Sequence, residues 1–331
     1  MYIHNSKLFN LVQKYPWLSK IFTITDGYIP DEEDDRDYMF GAENLMKKVI
    51  KEDGQWTDVL PEDEIQKGRY VETMGCTGFA MLNVLEMLAK AKYGETWNKS
   101  DRYTNEMTGT TRKGNGLRNV MNITKDKAGV VNEEAWTWDK NTFTWSQYYS
   151  DIPQRIKDLG SAFLKEYQIG YERVTTNKQL MMQALKYSPL YVAGYAWYNQ
   201  GGLYRSYGKA NHAFTIVGYV EGSHWLAYDS YSPYLKKLAW DFQFATAYVI
   251  VLAKKDEEYA QEKLNALLKR GFRYIMRADT ANGGHGEVYR ITEDGLTETT
   301  EQEKKDWAIT ALVDKKDLTG ISENDYYSLL K

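Results

Sequence analysis

The chain has 331 residues, 43% of them apolar, and a formal net charge of -4. This length and composition predict a globular protein with one large domain and a smaller one. Lys and Arg are scattered rather than clustered, so we expect no nucleic-acid partner. No stretch approaches the roughly 18 apolar residues of a membrane helix, and the first residues lack the apolar segment of a secretory signal. We therefore expect no membrane span and synthesis in the cytoplasm, which a single cysteine also fits.

Residues 1–54 are predicted to be an N-terminal extension. An acidic run at 31–35 lies between an amphipathic opening and an amphipathic stretch at 42–50. Charge runs are usually solvated, so the simplest interpretation is a surface lead-in. An inhibitory propeptide is the alternative, although the extended charged helix that such segments use is not evident in the sequence.

A buried helix is predicted over residues 76–93, near the start of the main section of the chain, residues 55–254. The segment is apolar on most faces, and Gly94 suits the position just after a helix end. Cys76 lies in the first turn of this helix. Residues 100–175 are rich in Gly, Asn, Thr and Trp, and we expect loops there without a long helix.

The second half of this section carries one further helix signal and several strand signals. A helix is predicted over 177–187, with Thr176 or Asn177 as its N-cap, because Ser188-Pro189 breaks the pattern. β-Branched and aromatic residues predict strands at 190–197, 214–218, 225–228 and 247–253. Helices first and an antiparallel sheet second make an α+β fold.

Residues 255–331 are predicted to be a separate small α/β module, because the composition shifts after Lys254. Its predicted elements are a charged helix over 256–269, strands at 272–277 and 287–292, a hairpin turn at Asp294-Gly295 and a final helix from Ser322. We expect any assembly partner of the protein to bind through this module.

Cys76 is the only cysteine of the chain. A single thiol forms neither an internal disulfide nor a thiolate metal cluster, so buried packing and nucleophilic chemistry are the two interpretations. One cysteine and four histidines offer no metal-ligand cluster, and we expect no metal and no cofactor. A helix N-terminus would favour the thiolate, because its unpaired N–H groups and the helix dipole stabilise negative charge.

A candidate base follows downstream, in the string Asn211-His212-Ala213-Phe214. His212 lies roughly 135 residues after Cys76, and Asp229 follows a short stretch later, across a predicted hairpin. His212 would hold the proton that the thiolate has lost and deliver it to a leaving amine. Asp229 would accept the other ring N–H and so fix the tautomer, and Tyr231 would shield that hydrogen bond from water.

These segments, in this order, resemble the papain family of cysteine peptidases over residues 55–253. The string 211–219 is similar to the family's His segment, and Asp229-Ser230-Tyr231 is similar to its Asn-Ser-Trp. The helix, Pro turn and strand over 184–192 resemble the elements ahead of the family's His, and Lys113-Gly114-Asn115-Gly116-Leu117 resembles its substrate-lining loop. The resemblance implies a papain-like two-subdomain fold, in which a helical part carries the Cys helix and the other part is an antiparallel, barrel-like sheet.

The chain departs from the family pattern around the cysteine. Met74 and Thr77 stand where family members usually carry a second Cys and a Trp. The family's oxyanion-hole Gln lies six residues before its Cys, and that position is Tyr70 here. Gln66 is therefore the candidate side-chain donor, beside the backbone N–H of Cys76, if a four-residue bulge brings it into place.

The resemblance implies a cysteine-type peptidase that acts on a protein or peptide substrate. Acyl transfer on the transglutaminase plan shares the Cys, His, Asp order, but its Cys-to-His gap is usually much shorter. The alternative from another class is a non-catalytic structural or binding protein that retains the scaffold, such as a virion component. A composition with 27 Tyr and 10 Trp, together with the small C-terminal module, is similar to papain-like proteins of tailed-phage and environmental bacterial sequences. Association with a virion is the corresponding expectation for location.

Overall fold

The computed structural model describes the chain in several ranges, which are 27–31, 39–40, 49–206, 208–255, 274–278, 285–292, 295–298 and 318–321. The chain divides into two compact units, Met1–Leu252 and Ala253–Lys331. No helix within these ranges is long and apolar enough to cross a membrane. The helices predicted at 256–269 and from Ser322 lie outside the described residues, as does most of 1–54.

The first unit contains helices and strands in an order that places the helices mainly first. Among the described residues of this unit, the α-helices are α1 (Cys76–Tyr93), α2 (Asp101–Met107), α3 (Leu117–Ile123), α4 (Trp145–Tyr148), α5 (Gln154–Glu166) and α6 (Lys178–Ala184). The strands are β1 (Tyr167–Val174), β2 (Leu190–Gly194), β3 (Tyr198–Gln200), β4 (Leu203–Arg205), β5 (His212–Val220), β6 (His224–Tyr228), β7 (Leu235–Ala239) and β8 (Phe244–Lys254). The predicted α+β fold class is thereby confirmed.

Helix α1 has the bounds that the sequence predicts. Every residue from Cys76 to Ala89 is buried, which matches a segment that is apolar on most faces. The helix ends at Gly94, which has a φ of 68° and whose N–H donates to Lys90 O. A left-handed residue at this position favours glycine, because it lacks a Cβ.

Residues 100–175 contain more regular structure than expected, so the prediction of loops without a long helix is wrong. Helix α5 buries Ile156, Gly160 and Phe163, whose spacing forms one buried face. Gly160 weakened the helix signal in the sequence. The structure requires it, because a Cβ at Gly160 would lie 2.1 Å from the carbonyl oxygen of Ala128.

The sheet of the first unit is open, and its strand order is β1-β8-β2-β5-β6-β7-β4-β3. Strand β2 pairs antiparallel with both β5 and β8, and β6 pairs antiparallel with β5 and β7. The short β4–β7 pair is parallel. Because β1 and β3 are edge strands, the part expected to be barrel-like is not a closed barrel.

Helix α1 packs against the middle of this sheet, chiefly against β5. The hydroxyl of Thr215 on β5 donates to Ala80 O on α1 at 3.0 Å. The apolar faces of the two elements belong to one core cluster, which includes Ala80 and Val84 from the helix and Ala213 and Ile216 from the strand. Since α1 begins with Cys76 and β5 begins with His212, this packing brings both residues to the same end of the interface.

The second unit contains a four-stranded sheet with the order β11-β10-β9-β12, formed by β9 (Tyr274–Ala278), β10 (His285–Thr292), β11 (Gly295–Glu298) and β12 (Leu318–Ile321). Thr292 pairs with Gly295 in the antiparallel β10–β11 ladder, and Gly295, which the sequence places in a hairpin turn, is the first residue of β11. The two strands predicted in this region are therefore present. The role of residues 255–331 stays a prediction.

Two glycines let the start of α1 approach Asn105 of α2. A Cβ at Gly75 would lie 2.1 Å from Asn105 Nδ2, and a Cβ at Gly78 would lie 2.2 Å from Asn105 Oδ1. Asn105 is held in place by a 3.1 Å hydrogen bond from its Nδ2 to the Tyr148 hydroxyl. The turn that carries Cys76 is therefore fixed against a buried polar side chain.

We expect Gly78→Ala to lower the free energy of unfolding by about 1 kcal/mol, because overpacking against Asn105 outweighs the gain in helix propensity. In an Asn105→Ala background the same substitution should raise the free energy of unfolding, since the space is then open. Urea denaturation of the four proteins measures both effects. An equal effect of Gly78→Ala in the two backgrounds would contradict the contact.

Candidate active site

Cys76 is the first residue of α1 and is completely buried. Its Sγ accepts a hydrogen bond from the backbone N–H of Ala213 at 3.4 Å. The N-terminal turn of α1 has no side-chain cap, so its backbone N–H groups and the helix dipole favour negative charge at this position. Both features stabilise a thiolate more than a thiol.

His212 is the first residue of β5, and its side chain is buried between Cys76 and Asp229. The ring Nε2 lies 2.6 Å from Asp229 Oδ1, which accepts its hydrogen bond. Burial alone lowers the pKa of His212, but the charge and hydrogen bond of Asp229, together with those of Cys76, raise it well above its ordinary value. The imidazole is therefore held in its protonated form, with the thiol on one side and the carboxylate on the other.

Asp229 follows β6 directly, and the β5–β6 hairpin brings it back beside His212 as the sequence predicts. Its second oxygen, Oδ2, accepts a hydrogen bond from Lys236 Nζ at 2.7 Å. Burial alone raises the pKa of Asp229, but the positive charges and hydrogen bonds of His212 and Lys236 lower it below its ordinary value. The carboxylate is therefore ionised between two cations.

Lys236 was not predicted as a site residue, although the sequence carries a signal for it. In the string Leu235-Lys236-Lys237-Leu238 of β7, residues two apart share a face of the sheet. Lys236 and Leu238 are buried, whereas Leu235 and Lys237 are exposed. A lysine that shares the phase of a buried leucine indicates a buried charge, and a buried charge needs a partner.

Aromatic rings surround the imidazole of His212. Trp197 contacts it edge to face, with ring centroids 5.4 Å apart at 89°. Phe214 lies at 6.1 Å, and Tyr231 lies at 5.8 Å in a tilted arrangement. Tyr231 is thus close to the position expected from the sequence, and the rings keep water away from the hydrogen bond to Asp229.

Gln66 is brought close to the Cys76 turn by a hairpin. Its carbonyl accepts from Thr73 N, Lys67 bridges to Glu72, and Gly68 N donates to Val71 O, so residues 66–73 fold back on themselves. The extra residues project outward, and Tyr70 near the tip has 59% of its surface exposed. Gln66 thereby lies beside Thr73, three residues before the cysteine.

The amide of Gln66 is part of a buried polar network. Its Oε1 accepts from the Ser230 hydroxyl at 2.6 Å, and its Nε2 donates to Glu72 Oε1 at 3.0 Å. Burial raises the pKa of Glu72, and hydrogen bonds from Gln66 and Tyr231 oppose that rise. A primary amide carries two N–H donors, of which Glu72 takes one.

Residues 27–31 close the groove beside Cys76. Ile29 N donates to Asn115 O at 2.7 Å, Asn115 N donates to Gly27 O at 2.8 Å, and Tyr28 N donates to Asn211 O at 3.3 Å. The segment thus pairs, in the parallel sense, with Asn115 of the loop that resembles the family's substrate-lining loop. The Tyr28 side chain is buried in the same core cluster as Cys76, whereas Ile29 next to it is 39% exposed.

Glycines make this closure possible. A Cβ at Gly27, which has a φ of 112°, would lie 2.2 Å from Met74 O. A Cβ at Gly114, which has a φ of 96°, would lie 1.9 Å from Gly27 O. The segment therefore passes between the chain that precedes Cys76 and the loop at Gly114 with no room for another side chain.

Comparison with solved structures gives a fold match. The cysteine protease and lectin-like domains of Cwp84, a surface layer associated protein of Clostridium difficile, are similar with a TM-score of 0.54 at 13% identity, over 77% of this chain and 61% of that one. Digestive procathepsin L 3 of Tenebrio molitor larval midgut has a TM-score of 0.49 at 14% identity, over 72% of this chain and 79% of that one. The bromelain protease from Ananas comosus has a TM-score of 0.44 at 20% identity, over 60% of this chain and 96% of that one.

These comparisons concern the fold. The chain has a papain-like cysteine protease fold, as the match to the Cwp84 domains shows, and it spans 61% of that structure. No protein-family model matches the sequence, and no curated protein is similar to it in sequence.

We expect Cys76 to react slowly with a thiol reagent in the full chain, because residues 27–31 cover it. Ile29→Pro removes the N–H that donates to Asn115 O, so it should loosen the segment. If the free energy that holds the segment in place falls by roughly 1.4 kcal/mol, the reaction should become about tenfold faster. Ile29→Ala keeps the N–H and serves as the control. Equal reaction rates in all three proteins would show that the segment does not limit access.

Proposed function

We propose that the protein is a papain-like cysteine peptidase that hydrolyses peptide bonds through an acyl-enzyme on Cys76. The observation that carries this proposal is the line of contacts from Cys76 at a helix N-terminus, through His212, to Asp229. A thiolate, an imidazolium and an orienting carboxylate in this order are the parts that thiol acyl-transfer chemistry needs.

In the first half of the reaction the Cys76 thiolate attacks the carbonyl carbon of the scissile peptide bond. A C–S bond forms, and the carbonyl oxygen takes up the negative charge. His212 then donates its proton to the departing nitrogen as the C–N bond breaks, so the amine leaves neutral and a thioester remains. Asp229 keeps the imidazole in the orientation that this proton transfer requires.

In the second half a water molecule attacks the thioester carbonyl. His212, now neutral, takes a proton from that water as the new C–O bond forms. The C–S bond then breaks, the carboxylic acid leaves, and the thiolate and imidazolium are restored. The backbone N–H of Cys76 and the Gln66 amide are the proposed donors to the oxyanion in both halves.

We infer that residues 27–31 keep this form latent. A peptide substrate needs the extended path beside Asn115 that residues 27–31 occupy, so the segment has to leave before substrate can bind. The inhibitory propeptide that the sequence left as an alternative is supported by these hydrogen bonds. Hydrolysis should accordingly be measured both in the full chain and in the Ile29→Pro variant.

A non-catalytic structural or binding protein is the second candidate, and two observations favour it. Cys76 has no exposed surface, and the Gln66 amide already donates to Glu72. In that function the packed site would stabilise the scaffold, and residues 255–331 would bind the partner. Association with a virion stays a prediction.

We expect the Ile29→Pro variant to hydrolyse peptides of a broad library. The double variant Ile29→Pro, Cys76→Ala should be inactive, because it lacks the nucleophile. Mass spectrometry of the library before and after incubation measures cleavage. The control is the double variant Ile29→Pro, Lys237→Met, which changes the exposed face of β7. It should cleave the library as the Ile29→Pro variant does. Cleavage that is unchanged by Cys76→Ala would refute the peptidase proposal.

We expect Gln66→Ala to lower kcat/KM by a factor of about 100 or more, because it removes one oxyanion donor. Tyr70→Ala should leave kcat/KM unchanged, although Tyr70 occupies the spacing at which the papain family carries its Gln. Steady-state kinetics on a peptide that the library identifies compares the two variants in the Ile29→Pro background. The opposite order of the two effects would remove Gln66 from the oxyanion hole.

A further inference from the structure

Lys236 lies behind the candidate triad, completely enclosed by its neighbours. Its side chain is 2% exposed, and its Nζ donates to Asp229 Oδ2 at 2.7 Å. The same ammonium donates to the carbonyl oxygens of Tyr231 and Pro233. Its three N–H donors therefore each have an acceptor.

The aromatic ring of Trp197 connects this lysine to the imidazole. Lys236 Nζ lies 5.2 Å from the centroid of the Trp197 ring, and the same ring packs edge to face on His212. Tyr204 lies on the lysine as well, at 5.9 Å. The ammonium, the indole and the imidazole thus form one packed unit around Asp229.

A buried lysine is costly unless its charge is balanced. With Cys76 as thiolate and His212 as imidazolium, the two charges cancel, and Asp229 would leave the buried group at a net charge of -1. Lys236 returns it to zero. The family that the chain resembles carries a neutral Asn at the position of Asp229 and needs no further charge there. Lys236 therefore neutralises the negative charge that an Asp adds at this position.

We propose that Lys236 is a positioning residue of the active site, which holds the Asp229 carboxylate towards His212 and cancels its negative charge. The Asp229–Lys236 pair then acts on the imidazole as an oriented acceptor with little net charge. This inference rests on the proposed function, since it names a further residue of the same site.

The direction of its effect follows from the groups that face the site. His212 is faced by Cys76 of α1, by Asp229 and by Tyr231. The Asp229–Lys236 pair is faced by Tyr204 and by Tyr234, and burial raises the pKa of Tyr234 above its ordinary value. Removing the positive charge of Lys236 makes the surroundings more negative, which raises the pKa of the Cys76 thiol and of His212. Removing the negative charge of Asp229 lowers both.

The single cysteine makes this effect directly measurable, because the ultraviolet absorbance of a thiolate can come only from Cys76. The absorbance is titrated in the full chain from about pH 4 to pH 9, below the ionisation of tyrosine, with Cys76→Ala as the blank. We expect Lys236→Met to move thiolate formation about one pH unit higher, and Asp229→Asn to move it about one unit lower. The Asp229→Asn, Lys236→Met double variant should titrate close to the wild type.

The double variant keeps the test decisive if Lys236→Met alone does not fold. Thermal unfolding identifies the folded variants, and Lys237→Met, which removes a neighbouring exposed charge, should titrate as the wild type does. If the double variant keeps the titration of Asp229→Asn, or if folded Lys236→Met titrates as the wild type does, the proposal is overturned. The titration needs no substrate, so the two proposals can fail separately. If the protein cleaves no peptide, but Lys236→Met raises and Asp229→Asn lowers the pH of thiolate formation, the proposed function is refuted and the role of Lys236 is retained.

Discussion

The packing of helix α1 against strand β5 is the contact on which the rest of the site depends. The helix begins at Cys76, the strand begins at His212, and the two run past each other with the Ala213 N–H donating to Cys76 Sγ at 3.4 Å. Further along, Thr215 donates to Ala80 O. Both elements are buried over most of their length, so the apolar core fixes their relative position. The position of Cys76 Sγ relative to the His212 ring follows from that packing.

Three layers of contacts then build on this pair. The β5–β6 hairpin returns the chain so that Asp229 meets His212, and β7 adds Lys236 behind it. The hairpin at 66–73 places Gln66 beside Thr73, three residues before the cysteine.

The side chains of the candidate site are buried, and Tyr28 of residues 27–31 lies in the same core cluster as Cys76. The Asp229 carboxylate lies between His212 and Lys236, so its charge is balanced inside the site. Burial makes each charge costly, so each charged group of the site needs the partner of opposite sign that lies beside it.

Local patterns in the sequence predict much of this arrangement. The bounds of α1 follow from an unbroken apolar run and Gly94, and the strands around His212 follow from β-branched and aromatic residues. Helix α5 was missed because Gly160, which the approach of Ala128 O requires, weakened its helical pattern. Lys236 was missed because a lysine in a strand is ordinarily solvated, and only its phase with Leu238 indicates burial.

The sequence by itself determined which residues are available for chemistry, because a lone cysteine, one histidine segment and an aspartate in order leave few combinations. Only the tertiary structure decided how these residues are buried, positioned and paired with charges of opposite sign. The closure of the groove by 27–31, the return of Gln66 through a hairpin and the balance of Asp229 by Lys236 all join residues that are distant in sequence or project from different elements. Such contacts depend on how the elements pack and on the need to pair every buried charge, which no local pattern records.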